Sequence, residues 1–303
     1  MSKKKKSSKS DETKQLDEIK RLVIIAMFSV DMLIDRLVLK GGNAIDLIHH
    51  ITTRSSRDVD FSIQGEFAKE EMAEIKDRIE TSLKQTLGES GLEVFDIKME
   101  EVPKGLTADV ADFWGGYDLE FKVIERARLL ELGNDLETIR KYALKLGAGD
   151  STKFSIDISK YEYIVGKIPE ELSGYRIFVY TPAMIVCEKL RAICQQMPEY
   201  GPVVKRNRAG SARARDFLDI YTLVTELNVT VTSKENQELL YQIFAAKRVP
   251  LSLLKLIAKY REFHGENFLA VKDTVKPGFA LQSFDFYFDF TLELVSKHGL
   301  TEE

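Results

Sequence analysis

Cysteine is almost absent from this chain. Only Cys187 and Cys194 occur in 303 residues, and seven residues along one helix would hold two thiols about 10 Å apart, beyond the reach of a disulfide. They read as core thiols. No Cys-x-x-Cys or His-Glu-x-x-His pattern is present, and His49, His50, His264 and His298 lack zinc-ligand spacing. That argues against a thiolate or imidazole metal site and leaves carboxylates as ligands for any metal. Long apolar runs are missing too: the longest, residues 22 to 30, stops at Asp31, far short of the roughly 20 residues that cross a bilayer. The chain starts with a polar Lys/Ser tract rather than an apolar segment, so a cytoplasmic protein with no membrane partner is expected. Positive charge is not in excess either; a net charge of −4 argues against a protein that coats nucleic acid indiscriminately.

What is present is a globular composition with local basic patches. Apolar residues make up 44% of the chain, enough for a substantial core. Basic side chains cluster at Lys3 to Lys6, in a low-complexity stretch expected to be disordered over residues 1 to 12, and again at Lys205, Arg206, Arg208, Arg213 and Arg215. Apolar residues recur at helical spacing from residue 16 to about 37, and a short buried strand is expected at 37 to 39. Gly41-Gly42 breaks it, with Asn43 as a suitable cap for a short helix over 44 to 50. Residues 58 to 63 then alternate, with Val59, Phe61 and Ile63 on one face and Asp58, Asp60 and Ser62 on the other, as in a half-buried strand.

A charged helix is expected over 67 to 87, strands over 92 to 100, 117 to 124, 154 to 159 and 176 to 180, and a helical excursion over 136 to 146. From Thr181-Pro182, a cap followed by a first-turn proline, the pattern is helix upon helix: 183 to 197, 212 to 227, 234 to 246, 251 to 264 and 284 to 298. The reading is α+β, with a mixed sheet and flanking helices over 13 to 180 and a helical domain over 181 to 303.

Acids are unusual inside a strand, and Asp58 and Asp60, two residues apart on one face, lie about 6 to 7 Å apart at Cα. Their oxygens can share a hard divalent cation such as Mg²⁺, which one or two carboxylates and substrate phosphates commonly hold. Asp157, on the polar face of its own alternating strand, is the natural third acid. Gly41-Gly42 permits close backbone approach to a ligand, and the helix start that follows presents free N–H groups to phosphates. Taken alone, the glycine pair is better accounted for by a tight turn at positive φ.

The stretch "LKGGNAIDLIHHITTRSSRDVDFSI" (residues 39–63) resembles the signature of the DNA polymerase β-type nucleotidyltransferase superfamily. Its form, KGG followed by RSSRDVDF, is similar in particular to the AbiEii/AbiGii-type nucleotidyltransferase toxins of type IV abortive-infection toxin–antitoxin systems. "EKLRAI" (188–193) and "RARDFLDIYTL" (213–223) match two later motifs of that family. The resemblance implies a nucleotidyltransferase-type sheet and a Mg²⁺ (or Mn²⁺) site at Asp58, Asp60 and Asp157. It implies NTP phosphates at Lys40, Gly41, Gly42, Ser55, Arg57 and Lys189, and a late acid at Asp216 or, alternatively, Asp219. Lys189 and Asp216 would come from the helical domain. The implied partners are an NTP, an RNA acceptor such as the tRNA 3′ end, and a cognate antitoxin, with translation blocked as the outcome; the alternatives are nucleotidyl transfer to a protein or small molecule, and a nucleotide- or partner-binding module without turnover. Arg206, Arg208, Arg213 and Arg215 stand as candidates for contact with RNA phosphates. Arg54 and Arg57 are either phosphate contacts or exposed loop charges, and Arg213 and Arg215 either meet RNA or brace Asp216.

Overall fold

The computed structural model describes residues 9–51, 53–54, 56–208, 210–231, 233–276 and 278–296. Seven strands form one mixed sheet in the order β3-β4-β5-β2-β1-β7-β6. They are β1 (Val38–Lys40), β2 (Val59–Ser62), β3 (Leu92–Val102), β4 (Gly116–Glu125), β5 (Phe154–Ser159), β6 (Ile168–Leu172) and β7 (Tyr175–Val179). β2 runs parallel to β5 and β1 parallel to β7, while the other neighbours are antiparallel.

Two helices cover the sheet face that carries Val59, Phe61, Ile156 and Ile158. In α2 (Met72–Glu89) the buried side chains are Ile75, Ile79, Leu83 and Leu87, an i, i+4 stripe that packs against α1 (Lys9–Phe28). Phe28 of α1 meets Phe61 of β2 edge to face, with ring centroids 5.9 Å apart. Burial of that apolar set sends the alternate residues of β2 and β5, Asp60 and Asp157 among them, to the opposite face. That face is roofed by the later helices α3 (Pro182–Cys194) and α4 (Ala214–Glu226), with α5 (Lys234–Ala246) and α6 (Phe284–Ser296) packed behind them. Buried residues from Ile19 to Val295 form one continuous core through sheet and helices. Thr181 caps α3 as expected, its hydroxyl accepting from the Met184 N–H.

Several elements differ from the expectation. α1 begins at Lys9, inside the stretch expected to be disordered; residues 1–8 lie outside the described residues. It ends at Phe28, and turns carry the chain to β1, because Asp31 and Asp35 interrupt the apolar stripe there. The helix after β1 starts at Gly41 itself and passes into a π-helical turn, Ala44–Ile48. Asn43 is therefore no cap, and its side-chain amide donates instead to the Asp58 carbonyl at 2.6 Å. β6 was not expected at all; its "IPEEL" sequence carries a proline, which an edge strand tolerates. The excursion before β5 is two short helices, Arg126–Leu132 and Leu136–Tyr142, and residues 251–260 form a 3₁₀ helix.

Candidate functional site

The sheet register places four charged residues in one row. Lys40 of β1 pairs with Asp60 of β2, Asp60 with Asp157 of β5, and Asp157 with Asp118 of β4. Directly paired residues point to the same face, so one cation and three acids line up beneath α3. Asp58, just before β2, adds a fourth acid. Asp58, Asp60 and Asp157 border a cleft of about 550 Å³ between sheet and helices, together with Lys40, Gly41, Gly42, Lys189, Arg213, Arg215 and Asp216.

The glycine pair is shaped around these acids. Gly41 has φ +66°, and a Cβ placed there would lie 2.4 Å from the Asp60 carboxylate; at Gly42 it would lie 2.7 Å from Ser56 Cβ. Gly41→Ala is thus expected to displace the Asp60 carboxylate and to incur about 1 kcal/mol of left-handed backbone strain. A loss of activity of about 100-fold with the fold intact by circular dichroism is the expected result, whereas an equal stability loss with full activity would mark Gly41 as a turn residue only.

Burial raises the Asp60 carboxyl to about 7, opposed by Lys40 and reinforced by Asp157 and Asp58. Asp157 is also raised, by burial and then by Asp118 and Asp58. The acids are thus close enough to repel, and their oxygens are the ligand type that hard cations take. Among the described residues, no three acidic, histidine or cysteine side chains are drawn together tightly enough to hold an ion alone. An acid-lined wall of this kind fits a cation that substrate phosphates help to hold, the usual mode for Mg²⁺.

On one side of the acids stands a buried network. Arg54 grips Asp219 with Nε to Oδ1 at 2.7 Å and Nη2 to Oδ2 at 2.5 Å. Lys189 lies between Asp219 (2.6 Å) and Asp216 (2.9 Å), and Arg213 Nε is 2.7 Å from Asp216 Oδ2. Burial pushes the Asp219 carboxyl up, but Arg54 and Lys189 more than reverse this and leave it far below the usual carboxylate range. Arg213 and Asp216 are set by the entry to α4, where Asn267 accepts from the Ala214 N–H and donates to the Ala212 carbonyl. Three cations face two carboxylates, so this wall keeps a positive surplus toward the cleft.

A second network closes the other end. Glu162, 4% exposed, lies 3.0 Å from Arg191, 3.6 Å from Lys40 and 3.7 Å from Lys247. Burial raises its carboxyl, yet these three cations pull it down to about 2. A carboxyl with a depressed native value contributes stability above its unfolded value near 4.5, and loses it as pH falls toward 2. Glu162→Gln is therefore expected to lower stability by about 3 kcal/mol at pH 7. Urea titrations of both proteins should converge as pH drops from about 4.5 toward 2, the window set by the unfolded and native values of this group.

Several other expected site residues do not reach the cleft. Ser55 lies outside the described residues. Arg57 is exposed and donates to the Gly147 carbonyl rather than lining the cleft. Arg206 donates to the Gln195 and Met197 carbonyls at 2.9 and 3.3 Å, so it is largely committed to the fold. Arg208 is exposed away from the cleft, and Arg215 is exposed at its border. Asp219 sits behind the cleft wall, whereas Asp216 lines it. Arg54 is no exposed loop charge but the buried partner of Asp219. Asp118, Glu162 and Lys247 join the site without having been anticipated. The alternation of β4 put Asp118 on a polar face, but only the pairing with β5 brings it beside Asp157.

No curated protein matches the sequence. Among solved structures, JHP933 from Helicobacter pylori is similar over 97% of this chain and 95% of its own, with 15% identity and a TM-score of 0.50. An antigenic nucleotidyltransferase-like protein from Paracoccidioides brasiliensis is similar over 76% of this chain and 93% of its own, with 13% identity and a TM-score of 0.30. The first likeness is one of fold. The family model described as "Nucleotidyl transferase AbiEii toxin, Type IV TA system" matches residues 24–289, from within α1 to within α6. This chain belongs to the AbiEii family, the nucleotidyltransferase toxins of type IV toxin–antitoxin systems.

Proposed function

We propose that the protein transfers a nucleoside monophosphate from an NTP to a hydroxyl of an RNA acceptor, the tRNA 3′ end, and so blocks translation in the cytoplasm. The observation that carries this reading is the pairing of Asp60 with Asp157 beside Gly41, whose missing side chain leaves room for the Asp60 carboxylate. In the reaction the acceptor oxygen bonds to the α-phosphorus, the α–β anhydride breaks, pyrophosphate leaves, and the hydroxyl proton passes to the Asp157 carboxylate.

Asp58, Asp60 and Asp157 would hold Mg²⁺ (or Mn²⁺), which when bound supplies charge stabilisation for the attacking and leaving oxygens. Gly41, Gly42 and Lys40 form the edge on which the triphosphate rests. Lys189 offsets the charge that builds on pyrophosphate, acting within the Arg54–Lys189–Arg213 wall, whose surplus cation supports that role. Asp216 holds Lys189 and Arg213 in place. Exposed Arg215 at the cleft border, with Arg208 outside it, supplies phosphate contacts for RNA. Among the described residues no helix is long and apolar enough to cross a membrane. Membership of the family implies an antitoxin as the regulatory partner.

The test is incubation of purified protein and Mg²⁺ with each labelled NTP in turn and total RNA or protein. Label entering tRNA supports the reading. Label entering protein, or NTP binding with no transfer to any acceptor, rejects it.

A further inference from the structure

Past Asp157, on the β4 side, the cleft continues into a recess that the roles above leave unused. Trp114, the only tryptophan in the chain, borders it together with Arg191, Gln195 and Lys247. The glycine pair follows β1, on the other flank of the acid row, because the sheet order is β4-β5-β2-β1. A transfer reaction needs two substrate positions at its acids.

Three features define what fits there. The first is charge: Arg191 and Lys247, both buried, hold Glu162 between them, so fixed cations border this end of the cleft as well. The second is a set of unmet donors. Gln195 and Arg191 are 7% and 2% exposed; Arg191 Nε is buried without a hydrogen bond, and the Gln195 amide nitrogen has only the Tyr200 hydroxyl beside it. The Tyr200 hydroxyl donates its own proton to the Lys247 carbonyl at 2.6 Å. A buried donor left unpaired is costly, and a ligand acceptor atom would recover that cost. The third is a π surface: Trp114 is half-buried, with the Lys247 ammonium 5.5 Å from its ring centroid. A flat ring with acceptor atoms on its edge, the form of a nucleotide base, matches these features.

We infer that this recess holds the 3′-terminal nucleotide of the RNA acceptor, its base against Trp114 and its acceptor atoms toward Gln195 and Arg191. The assignment rests on the nucleotidyl-transfer reading, since it is the division of the cleft between donor and acceptor that leaves this end to RNA. It distributes the work of the cleft: one cationic wall for the triphosphate, the other for the strand end that attacks.

The lone tryptophan makes the recess directly observable in the unaltered protein. A short single-stranded RNA ending in a 3′-deoxynucleotide, which binds but cannot react, is expected to quench Trp114 fluorescence saturably, while NTP with Mg²⁺ leaves it nearly unchanged. Gln195→Leu, with its thermal midpoint checked against the parent, is expected to raise the RNA dissociation constant and the KM for RNA about tenfold, a difference of about 1.4 kcal/mol. Its KM for NTP should stay within about twofold of the parent. Quenching by NTP alone, or a changed choice of NTP in the variant, would make the recess a pocket for the donor base and overturn the inference. Absence of quenching by either ligand overturns it as well. Saturable quenching by RNA without any labelled transfer would uphold the recess and reject the chemistry proposed above.

Discussion

Asp60→Asn is expected to reduce nucleotidyl transfer by at least about 1,000-fold while leaving the fold intact. The magnitude follows from removing a charged group that holds the cation at the reacting phosphate, where single electrostatic contributions already reach 10²- to 10³-fold. Asparagine matches the shape of aspartate, so packing against Gly41 survives and only the charge is lost. Stability should move the opposite way. Burial raises this carboxyl to about 7, so the native state holds its proton over a pH range where the unfolded chain has lost it. Stability attributable to the group therefore falls as pH rises from about 4 to about 7, by the linkage of proton binding to folding. In metal-free buffer the variant should gain about 1–2 kcal/mol on the parent at pH 8 and nothing at pH 4, with the figure kept modest because the side chain is partly solvated. Initial rates of label incorporation and thermal midpoints at the two pH values check both halves. An active Asp60→Asn protein would remove the basis of the proposed mechanism.

The largest stability effect belongs to Asp219→Ala, with an expected loss of about 3–5 kcal/mol. Asp219 is 2% exposed and is the partner of both Arg54 and Lys189, so its removal leaves two buried cations facing each other. The thermal midpoint should fall by roughly 10 °C, given a few degrees per kcal/mol for a chain of this size. Replacing both members of the bidentate pair, Arg54→Leu with Asp219→Leu, should restore part of the loss, because apolar side chains do not carry the desolvation cost of unpaired charge. A double variant less stable than Asp219→Ala would place the stabilisation in the shape of this pair rather than its charges. Arg54 also precedes the acid strand, and Val275 forms an isolated bridge with it. Loosening the pair is therefore expected to lower activity in parallel with stability.

Local pattern carried a large share of this protein. The alternation of residues 154 to 159 matched β5 along its whole length, and the helix expected over 234 to 246 matched α5 at both ends. These segments bury one regular face, so period and caps suffice to define them. β6 escaped notice because its "IPEEL" sequence has no clean alternation and its place depends on pairing with β7 at the sheet edge. The π-helical turn after Gly42 escaped for a similar reason. Asn43 is drawn away from capping by the Asp58 carbonyl, a partner fifteen positions along the chain.

The acids and the glycines could be singled out from the sequence because each is anomalous where it stands: carboxylates in a strand, two glycines at the end of an apolar run. Their facing one way also followed from period two. Which strands lie side by side did not, since register is set by contacts between distant segments. Only the fold aligns Asp118, Asp157, Asp60 and Lys40 in one row. The same holds for Asp216 and Asp219, three positions apart on one helix face. Spacing treats them alike, and their difference in role comes from what each meets. Asp216 borders the cleft, whereas Asp219 is enclosed by Arg54 and Lys189, side chains that arrive from 165 and 30 positions away along the chain.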